Sequence, residues 1–234
     1  MATTMERFPT CPTATEMPPA RFRLPGVYRP QDDTRLLASV VATTRIPAGA
    51  RVLDVCAGTG AVALTAALTG TGEVTAIDIS RRAVLSTRLN AWRLRLPVKT
   101  RRASFVDMSW PDRFDFVLAN PPYVPSAATT GPAGRDRSWD AGPDGRALLD
   151  PLCTIAPRLL APGGCLLLVH SSVSGVDITL DMLGSGGLRA GVVARRRIPF
   201  GPVMRARATF LEDAGLIDVG QRHEDLVVIR AGLP

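Results

Sequence analysis

The sequence predicts an α/β fold, a single doubly wound and mainly parallel sheet of seven strands. Three observations lead there. Short apolar runs alternate with stretches of helical periodicity along most of the chain. A glycine-rich turn joins the first apolar run to a helix. The chemically unusual residues fall at the ends of these runs, where open parallel sheets bind their ligands. The alternation implies right-handed crossovers, so helices cover both faces of the sheet.

Residues 1–25 are rich in Thr and Pro without periodicity, and are expected to form a flexible tail before one domain, 26–234. In VYRPQDDTRLLASVVA (27–42), Asp32 or Asp33 is a candidate cap for a helix whose apolar face carries Leu36, Leu37 and Val40. RVLDVC (51–56) is a buried strand, AGTGAVALTAAL turns into a helix, and EVTAID (73–78) is the second strand. Ser80 is the expected N-cap of the next helix. Its Leu85, Leu89, Trp92 and Leu96 are expected to mark a core stripe, and Arg81, Arg88 and Arg95 a solvated face. VKTRRASF (98–105) is a charged third strand and FDFVLA (114–119) a fourth. A loop follows from about 126 to 142, then a helix from near Asp144 to about Leu160, and the strand GGCLLLVH (163–170). The rest reads as a helix near 174–183, a strand near 188–199, a helix near 204–214 and the strand DLVVIRA (225–231), with no internal repeat.

A length of 234 residues with 46% apolar content suffices for one domain with its own core. No apolar run approaches the roughly 20 residues of a membrane helix, and the N-terminus lacks a signal-type segment, so a cytoplasmic location is expected. Cys11, Cys56, Cys153 and Cys165 form no C-x-x-C pair, and His170 and His223 are the only histidines. Metal-ligand spacing is therefore absent and the cysteines read as free thiols. The net charge of +7 raises the question of a nucleic-acid partner. Lys99, however, is the only lysine, which with abundant Ala, Gly and Pro looks like a bias toward G·C-rich codons.

DVCAGTG follows the first strand. Gly58 and Gly60 let a ligand approach the backbone closely. Asp78, twenty residues after Gly58, ends the second strand, where a carboxylate can accept hydrogen bonds from ribose hydroxyls. A dinucleotide is one candidate ligand, but Cys56 stands where the first glycine of G-x-G-x-x-G belongs and Ala61 stands at the third. Asp54 also places a carboxylate where a pyrophosphate would lie. That electrostatic pattern favours S-adenosyl-L-methionine, which is cationic and phosphate-free, over NAD. Asp107 and the Met108 N–H, ending the third strand, can read an adenine edge. A tight turn without a ligand is the bland alternative.

DVCAGTG, AIDIS, ASFVDM and, after the fourth strand, NPPY resemble in that order a class I S-adenosylmethionine-dependent methyltransferase, a Rossmann-like fold. The flanks VYRPQDDTRLL and SWDAGPDGRALLDPL resemble the HemK family of protein glutamine methyltransferases, in its short branch without an N-terminal helical domain. The likeness covers about residues 26–170 well and the C-terminal third loosely. It implies cofactor contacts from Asp54, Ala57, Gly58, Gly60, Asp78 and Ile79, from Asp107, Met108 and Asn120, and from Thr34 closing over the cofactor. It implies that Asn120, Pro121, Pro122 and Tyr123 hold the acceptor. The Asn120 side-chain oxygen and the Pro121 carbonyl can take the two N–H bonds of a planar amine, the prolines fix the turn, and Tyr123 can pack on the flat group. The implied acceptor is the glutamine of a release-factor GGQ motif. A nucleic-acid amino methyltransferase and a non-catalytic cofactor-binding module stay as alternatives. Trp139 and Gly142 belong either to a substrate-facing loop or to packing. ARRRIPFG (194–201) is either a contact to a phosphate-bearing partner or a solvated strand end. The charged third strand leads us to expect a monomer without an activating subunit.

Overall fold

The structure, a computed structural model, describes residue 17 and residues 20–106, 113–127 and 138–233. Seven strands form one sheet in the order β3-β2-β1-β4-β5-β7-β6. They are β1 (Arg51–Val55), β2 (Glu73–Asp78), β3 (Val98–Arg102), β4 (Phe114–Ala119), β5 (Leu160–Ser171), β6 (Arg189–Pro199) and β7 (His223–Gly232). The first five run parallel, and β7 lies antiparallel between β5 and β6. The strand order reverses between β1 and β4, so a crevice opens at their carboxyl ends. Around the sheet lie α1 (Asp32–Thr43), α2 (Ala61–Leu68), α3 (Arg81–Leu94), α4 (Leu149–Leu159), α5 (Val176–Ser185), α6 (Pro202–Ala206) and α7 (Ala208–Asp213).

The central strands are buried on both faces because both carry helices. Val52, Leu53, Val55, Val117, Leu118, Leu166 and Leu168 are fully inaccessible. Seven consecutive residues of α2, Ala61 to Ala67, are buried. Their small side chains let this helix lie close against its neighbours. A second, smaller cluster of Val173, Phe200, Met204, Leu211 and Ile217 holds the C-terminal helices. No helix among the described residues is long and apolar enough to cross a membrane.

Several expectations need correction. The inward face of α3 is not its leucine stripe: Trp92 is 75% and Leu85 46% exposed. Ala83, Ser86, Thr87, Asn90 and Ala91 are buried instead. The reason is proximity to the glycine turn, which leaves room only for small residues that can also satisfy its backbone. Ser80 does cap this helix, accepting from the Ala83 N–H. Neither Asp32 nor Asp33 caps α1; Gln31 occupies that position, without a side-chain bond, and Asp33 turns inward. Strand β3 ends at Arg102 rather than at residue 105. The helix expected from Asp144 begins only at Leu149, because residues 143–148 form turns around the buried Arg146. That guanidinium bonds to Asp150 and to the Ser174 and Gly175 carbonyls. The helix expected near 204–214 is two short ones, broken at Arg207. The segment read as a tail up to residue 25 is, over 20–25, tied to α3. The Phe22 backbone exchanges two 2.8 Å hydrogen bonds with the Asn90 side chain, and the Leu24 N–H donates to Ser86.

Candidate active site

The carboxyl ends of β1, β2 and β4 open on a cavity of about 720 Å³. One wall is the glycine turn after β1. Cys56, Gly58 and Gly60 all have positive φ, at 57°, 58° and 81°. Cys56 thus adopts the left-handed conformation a glycine would take there, at a cost of about 1–2 kcal/mol, and the turn keeps its course. Burial, with the nearby Asp78 and Asp54, holds the Cys56 thiol well above its usual range, so it stays protonated. Gly60 is required by contact: a Cβ there would lie 2.6 Å from Thr87 Cγ2. From α3, Thr87 donates to the Gly58 carbonyl and Asn90 to the Thr59 carbonyl.

Asp78 closes this wall. Its two oxygens accept from the Gly58 and Ser80 N–H groups, at 3.0 and 2.8 Å. Asp78 lines the cavity, and a carboxylate with about four lone-pair sites keeps acceptor capacity beyond these backbone bonds, as a ribose hydroxyl requires. Ile79 beside it is 57% exposed and offers an apolar platform. Asp54 is buried and accepts from the Ala63 N–H in the first turn of α2. It thereby occupies the helix N-terminus that a pyrophosphate would use, which disfavours a dinucleotide. Burial above all, and the Asp78 charge, push the Asp54 carboxyl up to about 8. The acid is therefore largely neutral at pH 7, and the negative charge read from sequence develops only beside a cation. Asp107 and Met108 lie outside the described residues.

The second wall is the turn after β4 together with the start of α1. Asn120, Pro121, Pro122, Tyr123 and Thr34 all line the cavity. Asn120 Nδ2 donates to Asp33 Oδ2 and to Thr34 Oγ1, both at 3.1 Å. A carboxylate only accepts, so the amide nitrogen faces Asp33 and Oδ1 is left for the cleft. Tyr28 and Tyr123 hydroxyls also donate to Asp33, at 3.0 and 3.2 Å. Burial, then the Asp33 charge, raises both phenols, which remain protonated donors. Tyr123 is thus anchored at its hydroxyl while its ring lines the cleft.

The backbone beyond the turn is clamped from three sides. Ser174 Oγ donates to the Tyr123 carbonyl at 2.7 Å, and Arg207 to the Pro125 carbonyl at 2.8 Å while pairing with Asp140. Val124 bridges to Asp140. Trp139 lines the cavity with its Nε1 buried and without a partner among the described residues, whereas Gly142 serves packing, its carbonyl accepting from the Ser126 N–H. Arg195, Arg196 and Arg197 are exposed on the outer strand β6, away from the cavity, and Arg195 and Arg197 pair with Asp225. Among the described residues no group of three or more His, Cys, Asp or Glu could hold a metal ion. The roles of Tyr28, Asp33, Ser174 and Arg207 were missed by sequence reasoning. Only the closeness of Tyr28 and Asp33 to Thr34 offered a signal.

Comparison with known proteins agrees with this geometry. Residues 23–136, which carry both walls, match the family model of the methyltransferase small domain. A putative protein N5-glutamine methyltransferase of Methanocaldococcus jannaschii is 28% identical over 181 residues, covering 77% of this chain and 90% of its own length. The release factor glutamine methyltransferase of Mycolicibacterium smegmatis is 30% identical, over 73% of this chain and 63% of its own. This chain therefore spans less than two thirds of that bacterial relative. Among solved structures, the E. cuniculi Mtq2–Trm112 complex, responsible for methylation of the eRF1 termination factor, matches with a TM-score of 0.60 at 21% identity. It covers 89% of this chain and 99% of the matched one, and shows the common class I fold. The fold, the family model over residues 23–136 and the relatives all meet on the same cleft, which is that of a methyltransferase.

Proposed function

We propose that the chain uses S-adenosyl-L-methionine to methylate the side-chain amide nitrogen of a glutamine in a protein, with the GGQ segment of a translation release factor as its target. The observation that carries this reading is Asn120, held so that its oxygen faces a cleft whose opposite wall ends in the Asp78 carboxylate. The cofactor supplies an electrophilic methyl group on a sulfonium. Asp78 suits its ribose, Ile79 and the turn Ala57–Gly60 its nucleoside, and Asp54 its cationic end. Asp107 and Met108, by resemblance, complete the adenine contacts.

An amide nitrogen is a poor nucleophile, because its lone pair is delocalised into the carbonyl. Asn120 Oδ1 and the Pro121 carbonyl accept its two N–H bonds, hold the lone pair toward the methyl and stabilise the positive charge that grows on nitrogen. A bound cofactor would supply the methyl carbon, with the electron pair of its carbon–sulfur bond leaving on sulfur, and the methylated amide would release a proton to solvent. Pro121 and Pro122 keep the acceptors stiff. The enzyme acts as a monomer without an activating subunit, since the open edge of the sheet, β3, carries Lys99, Arg101 and Arg102. An acceptor that works on the ribosome places the enzyme in the cytoplasm.

The test is mass spectrometry of a release factor and its GGQ peptide after incubation with enzyme and cofactor, beside nucleoside analysis of DNA and RNA from the same reactions. Monomethylated glutamine is expected. Methylated adenine or guanine with an unmodified GGQ would move the activity to nucleic acid.

A further inference from the structure

Asn120 can grip an acceptor nitrogen only if its oxygen, and never its amide nitrogen, faces the cleft. We propose that Asp33 is the positioning residue that enforces this orientation and that its charge strengthens Asn120 as an acceptor. The inference rests on the reading of Asn120 given above and deepens it.

Asp33 is 4% exposed. Five donors hold it: the Tyr28 and Tyr123 hydroxyls and Asn120 Nδ2 on Oδ2, and the Thr34 N–H and hydroxyl on Oδ1. Each neighbour's direction is itself fixed. Gln31 Nε2 donates to the Tyr28 oxygen at 3.0 Å, so the Tyr28 hydrogen is left for Asp33. Thr34 gives its hydrogen to Asp33 and therefore turns a lone pair to Asn120. Two acceptors thus face Asn120 Nδ2. A flipped amide would lose both bonds and set its oxygen against a buried carboxylate, where an unmet polar contact is costly.

The choice of a carboxylate has a further effect. A negative charge behind the amide nitrogen polarises the group and makes Oδ1 more electron-rich. It also lies at a fixed distance from the nitrogen that becomes positive during transfer, so no reorganisation is needed as charge develops. Asp33 also borders the cavity, but both of its oxygens are taken up by these five donors, so it acts through Asn120.

The test compares the full chain with Asp33→Asn, Asn120→Ala and the double variant. Turnover is measured on whichever acceptor the wild type methylates, GGQ peptide or nucleic acid, together with cofactor affinity. Asn120→Ala is expected to lose about 10²-fold in kcat, by analogy with one lost oxyanion-hole donor, and Asp33→Asn about 10-fold or more. Cofactor affinity should stay within about threefold in both. The double variant should be no slower than Asn120→Ala, the mark of residues acting as one unit. Losses that multiply would overturn the proposal.

A second readout needs no acceptor. The Asn120 side-chain amide, identified in a ¹⁵N-labelled spectrum by its disappearance in Asn120→Ala, should exchange slowly with solvent in the wild type and rapidly in Asp33→Asn. An unchanged signal would refute the role of Asp33. If no acceptor is methylated, the functional reading falls while the amide signal still decides on Asp33. Should Asp33→Asn fail to fold, Tyr28→Phe removes one anchor of the carboxylate and is read by the same exchange measurement, with faster exchange expected and unchanged exchange overturning the proposal.

Discussion

Asp54 shows what one buried carboxyl contributes at the scale of a residue. Its acidity lies near pH 8, against about 4 for an ordinary aspartate, chiefly because burial penalises the charged form. A group raised in this way stabilises the fold at low pH, and that contribution falls as pH climbs from about 4 toward 8. Cofactor binding should respond in the opposite sense. A cation beside Asp54 favours the ionised acid, so binding near neutrality expels a proton. We expect affinity for S-adenosyl-L-methionine to rise about tenfold between pH 6.5 and 8.5, and the slope to vanish in Asp54→Asn. Calorimetry in two buffers of different ionisation heat measures the proton directly; equal heats in both would refute this.

At the scale of elements, α3 separates what a sequence discloses from what it withholds. Its leucines and Trp92 repeat at helical spacing, yet the face that counts carries Ser86, Thr87 and Asn90. Trp92→Gln should change stability by no more than about 0.5 kcal/mol, as for an ordinary surface site. Asn90→Ala, which strips partners from the Phe22 backbone and the Thr59 carbonyl, should cost about 1–3 kcal/mol. Urea unfolding of the two variants ranks them; the reverse order would restore the leucine stripe as the core.

Strands β2 and β4 were legible to the residue, because short, mostly apolar runs rich in strand-forming residues and bounded by turn residues have only one place in such a sheet. The places of Asp78 and Asn120 at the cleft were legible because both stand at strand ends. Asp33 was not. It sits in a helix-start pattern, and its partners Tyr123 and Asn120 lie about ninety residues away in sequence. The break at Arg207 was hidden for the same reason, since the Pro125 carbonyl that receives it is just as remote.

The whole molecule adds terms that no single element reveals. His170, fully buried on β5, has its acidity lowered by burial to about 4, with Nδ1 bonded to the Ser171 carbonyl. Below its ordinary value of 6.5 the unfolded chain takes up a proton that the folded chain refuses. Stability from this source is therefore intact above pH 6.5 and declines by about 3 kcal/mol as pH falls to 4. Asp54 slopes the other way over part of that range, so the two tend to cancel in the wild type. In His170→Gln only the opposing Asp54 slope remains of the two, so the denaturant midpoint at pH 4.5 should rise relative to that at pH 7, by the equivalent of about 2–3 kcal/mol; an unaltered difference would exclude His170 as a source.

The arm at residues 22–26 joins distant parts of the fold. Asn90 links it to Thr59 in the glycine turn, Arg82 donates to the Pro25 carbonyl, and Ser138 donates to the Gly26 carbonyl. This bears on where a gene is cut for expression. A version starting at residue 26 looks harmless on paper, yet it would strip α3 of its strap. Such a version should melt lower by roughly 2–8 °C, equivalent to about 1–2 kcal/mol, with weakened cofactor binding to match. A version starting before residue 20 should show neither defect, and equal melting of the two would mean that the strap bears no weight. The position of the first codon thus sets how stiffly the glycine turn is held.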